Sequence, residues 1–425
     1  MDIQTIGFIG LAGDMNMGDA IRYSRLGYNV IGVDLHEKRE KLEQELVGTN
    51  IKILNTGTEV SRKSDLIIYG VPTEKIEEVV ALYGRATKKG AIVAGQTAPK
   101  TPEIEAFEKN IPQNTHIVTF HSLRGPSVDP KGQTMVVINY KSSQEAYKRA
   151  LEVYTKLGSN IVKLPNYMEH DRITADTQAC THVGFESIAS AFKNDKFYPW
   201  ENSSYIGGID NIKVLMALRI ISSKAHVYSG LAILNPYAKK QIEQYRKSVN
   251  ELFSLMVQEK EKKFIGRIRK AGEFVFGNIE KPIMLDDKVM GEFSLSAIPR
   301  EMIMSNSHLS LLAMVDAWHQ KRINPYKNMI CETPLFKLWL GIAEYLFRNK
   351  ELLEESMHTA LFNKGIRAQD FGFSNAVHVW ESLISNGDTE GYKKQFEETK
   401  TFFPKEKLER AKELSDELIK KLAKK

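Results

Sequence analysis

The sequence predicts an α/β domain with a doubly wound parallel sheet, followed by a mainly α-helical C-terminal part. Two observations predict it. Apolar β-rich runs alternate with helical patterns as far as about residue 165, and beyond that point the β-rich runs become few. The runs are near-continuous in hydrophobic residues rather than alternating, which is how parallel strands covered on both faces read. A chain of 425 residues is also too long for one ordinary core. Its organisation is read as an α/β domain at 1–165, a helical domain at 166–290 and a second helical subdomain at 291–425.

The elements follow in order. "TIGFIGL" is the first strand and runs into a glycine turn and a helix; "YNVIGVDL" is the second strand. "KSDLIIYGVP" and "KGAIVAGQT" come next, separated by the helical "EKIEEVVALYGRA". "THIVTFHSL" and "QTMVVINY" complete the β-rich series. Beyond Asp171, "DRITADTQACTHVGFESIASAF" and the stretch from Lys239 to Phe276 carry apolar stripes at helical spacing. The segment 278–306 breaks that periodicity and reads as a linker, with Asp286 and Asp287 as solvated surface. In the last helix Leu408, Ala411, Leu414, Leu418 and Leu422 share one stripe, as expected of a surface or interface helix. Long amphipathic helices of this kind suggest a homodimer.

Composition narrows the function classes. A formal charge of +6 without an aromatic-interleaved basic patch argues against nucleic acid and suits small anionic ligands. No apolar run approaches the length of a membrane span, and the chain enters a strand without a leader pattern. The two cysteines, Cys180 and Cys331, have neither metal nor disulfide spacing, which fits a reducing cytoplasm. No cluster with metal-ligand spacing is present, so no metal is expected.

The opening turn reads as a dinucleotide site of the Rossmann type with a lengthened loop. Such a site needs a tight turn after a strand, close approach of backbone to pyrophosphate, and a helix N-terminus aimed at that charge. Gly10, Leu11, Ala12 and Gly13 form the loop, and Asp14 and Met15 begin the helix. Ala12 is an insertion relative to the usual glycine spacing, and Asn16 stands where a third glycine is usual. Asp34 ends the second strand, where an acidic residue would accept from a ribose hydroxyl. That favours NAD, whereas His36, Lys38 and Arg39 just after it could hold a 2′-phosphate. Val71 and Pro72, leaving another strand, would line the approach of the nicotinamide.

Three further residues carry chemistry. His121 lies at the carboxyl end of a strand, the ligand-binding edge of an open α/β sheet, and can take a proton from an alcohol being oxidised. His170 and Asp171 are read as preceding a helix, with Asp171 its cap. His182 is either a satisfied helix histidine or part of a site. Arg219 sits in an apolar segment and must pair with a carboxylate, from the protein or from a substrate.

The segments "GFIGLAGDM", "SDLIIYGVPTEKI", "GQTAPKTPEIEAFEKNIP", "HSLRGP", "EHDRITADTQACTH", "LRIISSKAHVYSGLAILNP" and "TPLFKLWLGIAEYLF" together resemble the prephenate/arogenate dehydrogenases, specifically the fungal-type prephenate dehydrogenases. The resemblance implies oxidative decarboxylation of prephenate to 4-hydroxyphenylpyruvate and carbon dioxide, in tyrosine biosynthesis, with NADP as cofactor. It implies that His121 is the catalytic histidine, that Arg219 binds a substrate carboxylate, and that His182 belongs to the substrate pocket. One departure is notable. Ala98 stands where the family often has a serine hydroxyl, leaving Thr97 as the nearest replacement donor. The rival readings are an arogenate dehydrogenase and a non-catalytic nucleotide-binding relative. A β-hydroxyacid dehydrogenase is disfavoured, because residues 174–186 lack the lysine that those enzymes place there.

Overall fold

The computed structural model describes residues 2–126, 128–277, 284–285, 292–299 and 302–422. Asp286, Asp287 and the boundary read at 290/291 lie outside the described residues. The chain forms two compact units, of which the first holds residues 1–174, 234–236 and 330–332 and the second holds the remainder.

The first unit is an eight-stranded sheet in the order β3-β2-β1-β4-β5-β6-β7-β8. Its strands are β1 (Thr5–Ile9), β2 (Asn29–Val33), β3 (Lys52–Ile53), β4 (Leu66–Tyr69), β5 (Ile92–Gly95), β6 (His116–Ser122), β7 (Thr134–Lys141) and β8 (Asn160–Leu164). The helices α1 (Asp14–Arg25), α2 (Arg39–Glu45), α3 (Gly57–Lys63), α4 (Ile76–Tyr83), α5 (Thr101–Asn110), α6 (Gln144–Thr155) and α7 (Tyr167–Thr174) belong to it. Both faces of the sheet are buried. Leu66 and Ile68 of β4 enter one core with Phe8, Tyr23 and Tyr154, while Ile67 and Tyr69 enter the other with Ile104 and Phe107. That is why these strands read as unbroken apolar runs.

The predicted doubly wound sheet is present, with one difference. β7 pairs with β6 antiparallel, and β8 then runs parallel to β7. The connection from Leu123 to Gln133 contains only bends and turns among its described residues. A parallel return requires a crossover, usually a helix, so a strand reached through so short a link comes back antiparallel.

The second unit is helical throughout its described residues. Its central helix α8 (Cys180–Asn194) is buried from Cys180 to Phe192 on every side and follows a π-helical turn at Ala175–Ala179. A helix that is apolar or small all round is one enclosed by others. It packs against α9 (Gly208–Ile221) and a 22-residue helix at Lys364–Ser385. The last helix, Lys405–Leu422, buries Leu408, Ala411, Leu414 and Leu418 and packs against α9 of the same unit. Its stripe is therefore covered within the chain and does not by itself call for a partner. No helix among the described residues is long and apolar enough to cross a membrane.

Candidate active site

β1 and β4 are neighbours at the centre of the sheet, although β2 and β3 intervene in sequence. The strand order therefore reverses there, and ligands of open α/β sheets bind at the carboxyl ends beside such a switch. The glycine loop leaves β1 at this point. Gly10 adopts φ +87°, and a Cβ built on it would lie 2.7 Å from the Gly70 carbonyl oxygen. A side chain would fill the space through which a pyrophosphate approaches the backbone. Gly13 then starts α1 without a side chain to cap it. The amides of the first turn form the usual cradle for an anion.

Asn16 takes the place of a third glycine without opening the packing. A Cβ on Gly70 would fall 2.2 Å from the Asn16 amide nitrogen. The missing side chain has been transferred from the helix to the exit of β4. The Asn16 amide donates to the Gly10 carbonyl at 3.0 Å, and Gln96 donates to the Asn16 oxygen at 3.2 Å. Leu11 is buried against Gly32. The turn is thus a rigid, fully anchored loop rather than a degraded one.

Asp34 is used differently from the ribose contact expected of it. One oxygen accepts from the Ala12 amide at 2.7 Å. The other accepts from the Leu35 amide at 2.8 Å and pairs with Lys38 at 3.2 Å. The carboxylate clasps the lengthened loop, including the inserted residue. His36 and Lys38 lie exposed just beyond it, and Arg39 pairs with Glu43 at 2.9 Å. Val71 and Pro72 follow β4, with Val71 alongside Gly10.

His121 is the penultimate residue of β6 and is buried. Its Nδ1 is 2.9 Å from Nε2 of His170, and Nδ1 of His170 is 2.8 Å from Asp171. Burial pushes the His121 imidazolium well below its ordinary range, and the positive charges of His170, when protonated, and Lys100 add to this. The ring is therefore neutral at physiological pH and available as a base. His170 and Asp171 lie inside α7 rather than before a helix. Asp171 caps α5 instead, accepting from the amides of Lys100 and Thr101 at 2.7 Å each. The adjacent His–Asp pair was visible in the sequence, but its target was not.

Beneath these groups lies a buried ion pair that the sequence analysis missed. Lys100 and Glu103 are both fully buried and 3.1 Å apart. Lys100 also donates to the Gly95 carbonyl at 2.9 Å. Glu103 accepts from the Thr97 amide and hydroxyl and from Thr119. The Thr97 hydroxyl is thus engaged by protein acceptors. Arg124, two residues past β6, forms a buried pair with Asp19 of α1, which ties that strand to the cofactor helix. A lysine three residues before a glutamate, Lys100 and Glu103, was the available signal.

In the second unit His182 is buried on α8, edge-on to Tyr228 at 4.8 Å, and its Nδ1 has no hydrogen-bond partner among the described residues. Burial lowers its pKa to about 3. The unfolded chain takes up a proton near pH 6.5 while the fold refuses it until about pH 3. The folded unit therefore loses stability as the pH falls below 6.5, at a slope approaching about 1.4 kcal/mol per pH unit. His182→Gln should lose about 1 kcal/mol less than the wild type between pH 6 and 5. Tryptophan fluorescence in denaturant reports this, because all four tryptophans lie in the second unit. Arg219 projects from α9 and pairs with Asp416 at 2.6 Å. Of the two partners open to it, the structure supplies the protein carboxylate.

Residues 179–424 match a family described as a 6-phosphogluconate dehydrogenase C-terminal domain. Residues 5–99 match "NADP oxidoreductase coenzyme F420-dependent". A protein of Schizosaccharomyces pombe named as a probable NADP(+) prephenate dehydrogenase is 44% identical, over 98% of this chain and 97% of that one. The chain belongs to the NADP(+) prephenate dehydrogenase family. The NADP(+) prephenate dehydrogenase of Saccharomyces cerevisiae is 43% identical, over 98% of this chain and 93% of its own. A more distant relative, from Methanocaldococcus jannaschii, is named as a probable arogenate/prephenate dehydrogenase and is 24% identical over 65% of this chain. The motif resemblance is thereby confirmed along almost the whole length. Membership in the prephenate dehydrogenase family also fits the glycine turn, which retains the features a dinucleotide needs despite Ala12 and Asn16.

Proposed function

We propose that the chain catalyses NADP-dependent oxidative decarboxylation of prephenate, giving 4-hydroxyphenylpyruvate and carbon dioxide. The observation that carries this reading is His121, a neutral buried imidazole at the carboxyl edge of the sheet that bears the dinucleotide turn. Family membership supplies the substrate. The turn at Gly10–Gly13 and the first residues of α1 would hold the pyrophosphate. When bound, the nicotinamide supplies the hydride acceptor.

His121 accepts the proton of the substrate's ring hydroxyl at Nε2 as that carbon gives up its hydride. The ring carboxylate leaves as carbon dioxide, and its bonding pair completes the aromatic ring. His121 needs no prior deprotonation, because burial already keeps it neutral. Arg219 is assigned to a substrate carboxylate on the family resemblance. Asp416 occupies one of its terminal nitrogens, and a guanidinium carries five donors.

The cofactor preference follows from the geometry of Asp34. A carboxylate committed to the Ala12 amide does not oppose a 2′-phosphate as a free one would. His36, Lys38 and Arg39 then supply positive charge and donors at the end of β2. Lys38→Ala combined with Arg39→Ala should raise KM for NADP about tenfold or more and leave KM for NAD nearly unchanged. Steady-state kinetics with each cofactor checks this. An equal rise for both would mean that the pair supports the loop and not the phosphate.

A further inference from the structure

We propose that His170 and Asp171 are positioning residues that hold His121 in a single tautomer, with its proton on Nδ1 and its lone pair on Nε2. This rests on the reading of His121 as the base. The argument is one of donors and acceptors. Asp171 is fully buried, and its carboxylate accepts from four donors: the Lys100 and Thr101 amides, the Thr101 hydroxyl and Nδ1 of His170. A carboxylate in that setting only accepts, so Nδ1 of His170 must carry a hydrogen. A neutral His170 then has its lone pair on Nε2, 2.9 Å from Nδ1 of His121. That lone pair requires a hydrogen on Nδ1 of His121. Nε2 of His121 is left as the acceptor.

The surroundings favour this arrangement over its reverse. The reverse would need His170 protonated on both nitrogens. His170 is fully buried, and the Lys100 ammonium is already present in the same cluster. Lys100 is itself paired with Glu103, which leaves Asp171 as the anion facing the two imidazoles. Asn235 fixes the Asp171 carbonyl from the other side at 2.8 Å, so the carboxylate is held at both ends of its residue. When His121 takes the substrate proton at Nε2, its Nδ1 hydrogen stays donated to His170. The new positive charge then lies one imidazole away from Asp171.

Two measurements test the proposal. The first is the ¹⁵N spectrum of histidine-labelled wild-type protein at neutral pH, with His121 assigned by its loss in His121→Asn. A protonated Nδ1 and an unprotonated Nε2 are expected. The opposite tautomer, or a rapidly exchanging mixture, would overturn the proposal whether or not the protein turns over prephenate. The second compares His170→Leu, which removes the acceptor, with His170→Gln, which can restore one. His170→Leu should lower kcat about 10²-fold with little change in KM for prephenate, and move the acid limb of the kcat profile to lower pH. His170→Gln should recover part of the loss. If both variants lose stability alike while keeping wild-type kcat and pH profile, His170 only packs and the proposal fails. If the wild type does not turn over prephenate, the functional reading fails, and the tautomer measurement still decides this one.

Discussion

Replacing His121 by asparagine should lower kcat by about 10²–10⁴-fold, with KM for prephenate changed little. Asparagine can still donate to Nε2 of His170 and occupies similar space, so the fold should survive. What disappears is the lone pair that receives the hydroxyl proton. The interaction lost is made as the proton transfers and not in the bound ground state, so the effect falls on kcat. Steady-state kinetics together with thermal unfolding of both proteins checks this. Turnover of the variant within a few-fold of the wild type would remove His121 from the chemistry.

The largest stability effect is expected at Glu103. Truncating it to alanine leaves the Lys100 ammonium fully buried without its counter-charge and removes the acceptor for Thr97 and Thr119. Breaking a buried pair from one side costs about 3–5 kcal/mol. Burial already pulls the Lys100 pKa down, and Glu103 is the main group opposing that shift. Tryptophan fluorescence does not report on the first unit, which has no tryptophan. Hydrogen exchange of the β5 and β6 amides does. Their protection should fall by roughly that amount in Glu103→Ala, and Lys100→Met added to it should restore part. A loss below about 1 kcal/mol would show that water or another carboxylate takes over from Glu103.

These two sites differ in how far the sequence could reveal them. The strands were legible because β1, β4 and β5 are buried on both faces and so are unbroken apolar runs. The reversed direction of β7 was not, because direction depends on whether the link is long enough to cross over. His121 was legible from its place at the end of a β-rich run. Its partners were visible as the dipeptide His170–Asp171 but were assigned to capping their own helix. The helix that Asp171 caps, α5, lies about 70 residues earlier in the chain, and no local pattern points to it.

The cofactor turn teaches the same lesson. Asn16 looked like a defect because the sequence pattern counts glycines along one loop. The space that the third glycine usually provides is supplied by Gly70, on a neighbouring strand. Asp34 stood where a ribose-binding acid belongs, yet the inserted residue Ala12 gave its carboxylate a closer donor. In both cases residue type and spacing were read correctly. The contact was settled by a residue elsewhere in the chain.

The most direct test of the account is the stoichiometry of a single reaction. Purified protein would be mixed with prephenate and NADP, with NADPH followed by absorbance and carbon dioxide by release of label from the ring carboxylate. The account predicts one carbon dioxide for each NADPH, faster with NADP than with NAD, and loss of both products together in His121→Asn. Absence of either product from folded protein that still binds NADP, or turnover only when arogenate replaces prephenate, would contradict it.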